Sequence, residues 1–505
     1  MAPKGLLAIK GGLVLFPNLK SEAAELVISS GTIADILAAG SPLPAHANIL
    51  NATDRAIVPG LVNGHVHGHG TLAKGLVDQR WPLELFLNAL PGLGANRTIE
   101  DKYLSGLLGA VEMIRKGSTA CFDLFFEFPK PSREGLFAVG QAYSDAGIRA
   151  VLAPMVADRT FYQAYPELLD TMPEPLKAQA LELQMAPYEA SAEAAAEAFR
   201  EWPFDRERIK PGIAPTIPLH CSDAFLIRCR DISREFDIPL QTHLAESKVQ
   251  AVIGLNRYGK TLTAHLDDLG LLGPSFSAAH AIWLDADDMS RLADAGASLI
   301  HAPPSNMRFG SGLANIRGML DHSLNVGMAT DAANSSDSLN MFEAARLGSF
   351  ISRIRTHDFD RWLGAEDVHR MATTGSAKAM GFGAKIGKIE RGYKADLVFL
   401  DLTNINYVPL GDLATQMVFG ENGAAVDSVM IDGRMVLDRG EITTLDEAKL
   451  RRDANAAAER LFSVKAEKRE LARQLQPLVG QFCRSLTCQS YHVHGLACFS
   501  SETHQ

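Results

Sequence analysis

Cysteine is scarce in this chain: six residues in 505, with no CxxC pair among them. Cys121, Cys221 and Cys229 are scattered through the body, and Cys483, Cys488 and Cys498 fall in the last stretch. That distribution excludes a disulfide framework and makes a reducing cytoplasm the expected compartment. No uninterrupted apolar run approaches the roughly 18 residues that a membrane-spanning helix needs. The opening stretch MAPKGLLAIKGGLVLFP resembles a signal peptide faintly, but Lys10 splits its apolar part and no small-residue cleavage site follows, so a mature strand is expected there. Nor is there a surplus of basic charge: 49 Lys+Arg against 59 Asp+Glu leave a net −10. That balance excludes a nucleic-acid binder and a protein of anionic membrane surfaces, both of which present a basic face. Internal repeats and low-complexity tracts are absent.

What is present is an ordinary globular composition, 47% hydrophobic and 21% charged, which is enough for a large core. Residues 1–57 alternate short β-like runs with Gly and Ser turns and read as a small β-unit. From Ile57 onward, apolar runs alternate with helical stretches. Eight strand candidates stand out: 57–66, 119–124, 148–156, 211–216, 238–243, 277–280, 297–302 and 325–331. Between them lie helical segments such as 101–116, 133–146, 191–202, 223–236 and 286–295. Eight alternating β and α units predict an α/β fold, a (β/α)₈ barrel over 58–384. Short strands return over 385–445 and are expected to join residues 1–57 in one discontinuous β-sandwich domain. Residues 446–478 predict a C-terminal helix, and 479–505 a poorly ordered tail.

Histidines and carboxylates gather at the C-terminal ends of the predicted strands, the face where barrel enzymes place their chemistry. His65 and His67 end the first strand. Residues i and i+2 share a face of a strand, so both imidazoles point into the barrel mouth. His243 ends the fifth strand, His280 the sixth and Asp331 the eighth. One HxH pair alone is weak evidence, but five such groups on four strand ends at one rim form a set suited to Zn²⁺ or Fe²⁺. Glu246, three residues after His243, is placed to take a proton from a metal-activated water. Two-metal barrels need a bridging acid, often a modified Lys ending the fourth strand. Here that strand ends Ala214-Pro215-Thr216, with Lys210 at its start, so one divalent ion per chain is expected.

Several segments together resemble the amidohydrolase superfamily: VPGLVNGHVH (58–67), EMIRKGSTACFDL (112–124), APTIPLHCSDAFL (214–226), QTHLAES (241–247), HAIWLDADD (280–288), HAPPSNMRFGSG (301–312), ATDAANSSDSLNMF (329–342) and ATTGSAKAMGFGAKIGKIERGYKADLVFLD (372–401). More narrowly the chain resembles the branch of methylthioadenosine/S-adenosylhomocysteine deaminases, guanine and 8-oxoguanine deaminases and s-triazine hydrolases. The resemblance implies that His65, His67, His243 and Asp331 ligate one metal, Zn²⁺ or Fe²⁺, and that Glu246, His280 and Asp331 carry the catalysis. It implies hydrolytic deamination of an aminated N-heterocycle, a purine, pterin, pyrimidine or triazine. Loss of chloride or an alkylamine, or cleavage of an amide- or urea-like bond, uses the same addition step. A non-catalytic scaffold is the remote alternative. A homodimer or higher homo-oligomer is implied as well.

Four further residues are candidate substrate contacts. His69 extends the motif to HVHGH, where relatives commonly carry an apolar residue. Trp81 and Glu84, with Phe86 beside them, lie in the long segment after the first strand, and Asn306 follows the seventh. The roles of His69 and His301 stay open at this level. In the tail, Cys483, Cys488, His492, His494 and Cys498 fit no standard zinc-ligand spacing.

Overall fold

The computed structural model describes residues 5–94, 97–463 and 466–495. Eight strands form the barrel: β1 (Leu61–Val66), β2 (Ser118–Phe126), β3 (Arg149–Val156), β4 (Ile209–Pro211, resumed at Ala214–Pro215), β5 (Leu240–Leu244), β6 (Phe276–His280), β7 (Ser298–His301) and β8 (Asn325–Met328). Pairing is parallel from β1 to β4 and from β5 to β8. Two seams close the ring. Between β4 and β5, Gln241 N donates to Ile213 O at 3.1 Å and His243 N to Thr216 O at 2.9 Å. Between β8 and β1, Asp331 N donates to His65 O at 3.1 Å, while Asn63 Nδ2 donates to Thr330 Oγ1 at 2.7 Å.

The strands are buried on both faces, as parallel strands covered by helices must be, and so they read as continuous apolar runs. Helices follow where the caps fall. Thr98 and Asp101 form a capping box at the start of Ile99–Arg115, and Ser132 caps Arg133–Ala146. The barrel interior is filled by Val62, Phe122, Leu124 and Val151 from the strands and closed from below by Met380 and Phe382.

The predicted run 57–66 is in fact two strands. Arg55–Pro59 belongs to the small sheet and Leu61–Val66 to the barrel, with the break at Gly60. A Cβ at Gly60 would sit 2.1 Å from Thr119 Oγ1, so only glycine lets the chain turn there against β2. The small sheet holds nine strands drawn from residues 6–59 and 397–442. Its middle is the antiparallel pair Arg55–Pro59 with Leu397–Asp401, which zips the two chain segments together. The sheet curls over a core of Ile9, Leu26, Ile57, Phe399 and Met430, and Ile33 N reaches Tyr393 O at 2.8 Å across the fold. Arg149, at the start of β3, is buried against Asp396 of this sheet with Nε–Oδ2 at 3.0 Å, which ties the two bodies together.

The C-terminal region departs from expectation. In place of one helix followed by an irregular tail there are two helices, Glu447–Ser463 and Ala466–Thr487. The second lies along the helix Leu83–Gly94, where Asn88 Nδ2 donates to Ala472 O at 2.9 Å. Beyond it, His492 Nε2 pairs with Asp285 Oδ2 at 2.8 Å. Cys483 is buried and Cys488 exposed, both as free thiols, and Cys498 lies outside the described residues. No metal-holding group appears among the described residues of this tail. No described helix is long and apolar enough to cross a membrane.

Candidate active site

His67 immediately follows β1, and His243 and His280 stand at the ends of β5 and β6. Asp331 stands three residues past β8 rather than on the predicted strand. Asp331 and His280 both adopt left-handed backbone, φ 66° and φ 67°. For residues with a side chain that conformation costs roughly 1–3 kcal/mol each, and it persists where the surroundings over-determine it. Here Asp331 is held by its own N–H to His65 O at 3.1 Å and by Ala332 N–H to its Oδ1 at 2.6 Å.

Each imidazole is fixed from behind through Nδ1. His67 Nδ1 donates to Leu124 O at 2.8 Å and His243 Nδ1 to Thr216 O at 2.5 Å. A carbonyl only accepts, so the proton of each neutral ring is on Nδ1 and Nε2 carries a lone pair. His65 Nδ1 meets Gln241 Oε1 at 2.6 Å, and Gln241 Nε2 is committed to Gly64 O and Ser277 Oγ, so the amide presents oxygen and the same tautomer follows. His280 Nδ1 meets Asn306 Oδ1 at 2.8 Å. Asp331 Oδ2 accepts from Ser305 Oγ at 2.5 Å. Ser305 and Asn306 share one short helix, Pro303–Arg308, which therefore orients two functional groups at once.

The lone pairs converge. His67 Nε2 and His243 Nε2 lie 3.1 Å apart, two unprotonated nitrogens facing each other. Asp331 Oδ1 is 3.4 Å from His67 Nε2 and 3.6 Å from His65 Nε2, and His65 Nε2 has no hydrogen-bond partner. Without a cation, such an array is repulsive and unsatisfied. Three imidazole nitrogens and one carboxylate oxygen suit a divalent Zn²⁺ or Fe²⁺, and backing of each ligand by a second group is the usual dress of such a site. Electrostatics agree. Burial pushes His65 down to about 3 and His243 well below the usual histidine range, which keeps both neutral and able to ligate. Burial alone would raise Asp331, but His67, His65, His280 and Ser305 outweigh it and hold its carboxylate below the usual range.

Beside this cluster, Glu246 Oε1 and His280 Nε2 are 3.7 Å apart, and His280 Nε2 is otherwise without a partner. Burial, with Asp331 and Glu84 nearby, pushes the Glu246 carboxyl well up. The pair can therefore hold and relay a proton. Above it opens a cavity of about 400 Å³ with a mostly apolar lining, within the usual range for a small-molecule site.

The expected substrate contacts divide. His69 lines the cavity, with Phe126 N–H donating to its Nδ1 at 3.2 Å. Trp81, Glu84 and Asn306 are not among the lining residues. Trp81 packs with Val77, Phe86 and Phe309 behind the wall, Glu84 Oε1 accepts from Ser247 Oγ at 2.5 Å, and Asn306 serves His280. Phe86 and Phe309 do line the cavity. His301 is buried and belongs to neither metal-holding group, with neither ring nitrogen partnered. Three supporting residues carried no role in the sequence reading. Gln241 was detectable, since it sits two residues before His243 on one strand face. Ser305 left no periodic signal. Asp123 anchors the loop after His67 by accepting from Gly68 N at 2.8 Å and from Tyr143 Oη at 2.6 Å. A Cβ at Gly68 would fall 2.7 Å from Asp123 Oδ2, so this approach needs glycine.

Comparison with known proteins gives a consistent picture. A family model described as the amidohydrolase family matches residues 56–436. A 5-methylthioadenosine/S-adenosylhomocysteine deaminase of Syntrophomonas wolfei subsp. wolfei is 30% identical over 442 residues, covering 87% of this chain and 95% of the relative. Among solved structures, an adenosine deaminase from Xanthomonas campestris with bound zinc superposes with a TM-score of 0.79 at 27% identity, covering 91% of this chain and 99% of that one. A triazine hydrolase from Arthobacter aurescens shares the fold, with a TM-score of 0.80 at 20% identity over 90% of this chain and 99% of that one.

Proposed function

The chain belongs to the amidohydrolase family and is a hydrolytic enzyme of C–N bonds; from that premise we propose that it deaminates an aminated N-heterocycle with the aid of a single divalent metal ion, Zn²⁺ before Fe²⁺. The observation that carries the reading is the pair of unprotonated nitrogens, His67 Nε2 and His243 Nε2, opposed at 3.1 Å beside Asp331 and His65. Those four residues would hold the ion. When bound, it supplies Lewis acidity that brings a water's pKa toward about 7.

The residues of the chain then divide the work. His280 Nε2, with its proton fixed on Nδ1 by Asn306, accepts a hydrogen bond from the attacking water and aims it. Glu246 takes the water's proton on its carboxylate and delivers it to the ring nitrogen adjacent to the carbon under attack. The carbon becomes tetrahedral. Glu246 then takes the proton of the added hydroxyl and passes it to the amino group, so that the C–N bond breaks, ammonia leaves and the ring carbonyl forms. Burial of Glu246 suits this cycle, because a raised carboxyl holds a proton more readily than an exposed one. The apolar cavity excludes bulk water and accepts a planar ring.

The same reading gives a homodimer or higher homo-oligomer and a cytoplasmic location, the latter in keeping with five free cysteines among the described residues. Light scattering tests the first. The function is tested by ammonia release from metal-loaded protein against aminated purines, pterins, pyrimidines and triazines. Ammonia from one scaffold is the expected result. Silence across the panel with one metal per chain would overturn deamination and direct the search to chloride, alkylamine or amide-type leaving groups.

A further inference from the structure

The cavity lining loses its apolar character beside His67, where His69, Arg97, Lys102 and Glu127 line it together. Two of these are occupied with each other. Lys102 Nζ donates to Glu127 Oε1, and Glu127 also accepts from Ser132 N at 2.9 Å and Ser132 Oγ at 2.7 Å. Arg97 is not so occupied. Among the described residues its guanidinium makes one hydrogen bond, Nη1 to Ser105 Oγ at 3.3 Å, while Nε is buried without a partner. It forms no ion pair among the described residues. Asp101, whose charge reaches it, gives Oδ1 to Arg460 and Oδ2 to Thr98 N. His69 adds no negative charge.

Burial pushes Arg97 down to about 10, so it remains a cation at neutral pH. A desolvated cation with no counterion is costly, and a planar guanidinium with free N–H groups matches a carboxylate in shape and charge. The neighbouring apolar surface, with Phe86 and Phe126, suits the rest of a ring-bearing ligand. We infer that Arg97 seats a carboxylate of the substrate, so that this chain takes aminated heterocycles bearing a carboxylate substituent in preference to neutral ones. The inference rests on the deaminase reading for the word substrate, but not for the binding itself. The planar fork of Arg97 pairs two parallel N–H groups with the two oxygens of a carboxylate.

The test is a binding preference, measured without turnover. Metal-loaded Glu246→Gln protein is titrated calorimetrically with two matched pairs: S-adenosylhomocysteine against 5′-methylthioadenosine, and pterin-6-carboxylate against pterin. The carboxylate member of at least one pair is expected to bind tenfold or more tightly than its neutral partner. Adding Arg97→Gln should bring that ratio below threefold while the neutral member's affinity stays within threefold, and Arg97→Lys should recover part of the preference. Equal affinities within each pair would overturn the inference, as would a preference that survives Arg97→Gln. So would binding of neither member of either pair. Arg159, another lining residue without an ion pair among the described residues, supplies the remaining control: loss of the preference in Arg159→Gln but not in Arg97→Gln would overturn the assignment to Arg97. Ammonia release by the wild type is scored separately, so failure of the deaminase reading leaves this result interpretable.

Discussion

At the floor of the cavity each imidazole that matters is held from behind by a named acceptor, whereas at its wall the side chains answer to distant packing. His67 is held by Leu124 O, His243 by Thr216 O, His65 by Gln241 and His280 by Asn306. All are at or next to barrel strand ends, or one short helix away. The wall comes from the helix Leu83–Gly94 and from segments around Phe126 and Phe161, and the helix Ala466–Thr487 braces it from outside. Tyr162 Oη donates to Asn88 Oδ1 at 3.0 Å, and Asn88 donates on to Ala472 O, so two wall segments and the C-terminal helix are joined through one asparagine. The difference teaches that the two parts are built separately. Under the proposed function the floor would set what reaction occurs, and the wall on what molecule.

That separation can be broken by experiment. The largest effect is expected from His67→Ala, which removes a metal donor. Bound metal measured by elemental analysis should fall well below one per chain, and turnover should vanish with it. Retention of a full metal complement would show that the opposed nitrogens do not hold an ion. Next comes Glu246→Gln, which deletes proton transfer and no proposed ligand. Metal content should be unchanged and kcat should fall by about 10²–10⁴-fold. Near-normal kcat on a cognate substrate would remove Glu246 from the mechanism.

Smaller losses should follow from the groups behind the floor. Gln241→Leu and Asn306→Ala should each cost about 10–100-fold, Gln241→Leu in metal affinity and Asn306→Ala in kcat with metal retained. If both variants merely lowered the melting temperature and left these values intact, the backing contacts would be structural only. The smallest effect belongs to the wall. Phe86→Ala should raise KM by about tenfold, the worth of one apolar contact of about 1–3 kcal/mol, while kcat stays within about threefold. A kcat effect larger than the KM effect would mean that wall and floor are not separable.

Much of the floor was readable along the chain, and the reasons are local. The HxH pair at 65 and 67 follows from the two-residue period of a strand, and His243 and His280 end apolar runs of strand length. Asp331 stands past the eighth strand rather than on it, because a left-handed residue beyond a strand end leaves no periodic trace. Residue type alone points to Trp81 and Glu84 as pocket groups. The helix Leu83–Gly94 turns Leu83, Phe86, Leu87 and Leu90 to the cavity and leaves Glu84 on another face, against Ser247. Arg97 gives no signal, because a lone arginine between helices is ordinary until the nearby carboxylates, Glu127 and Asp101, are seen to be committed to other partners.

By itself, then, the order of residues determined the alternation of strands and helices, the rim on which the histidines and Asp331 gather, and the acid three residues after His243. Hydrophobic period and covalent spacing act over a few residues, so a chain carries them openly. Only the tertiary structure decided which atoms face one another: the opposed Nε2 pair contributed by residues 67 and 243, the helix at 303–308 that orients both Asp331 and His280, and the Arg97 guanidinium left without an ion pair among the described residues. Those relations join residues far apart in sequence, and they depend on packing angles and burial that no local pattern encodes.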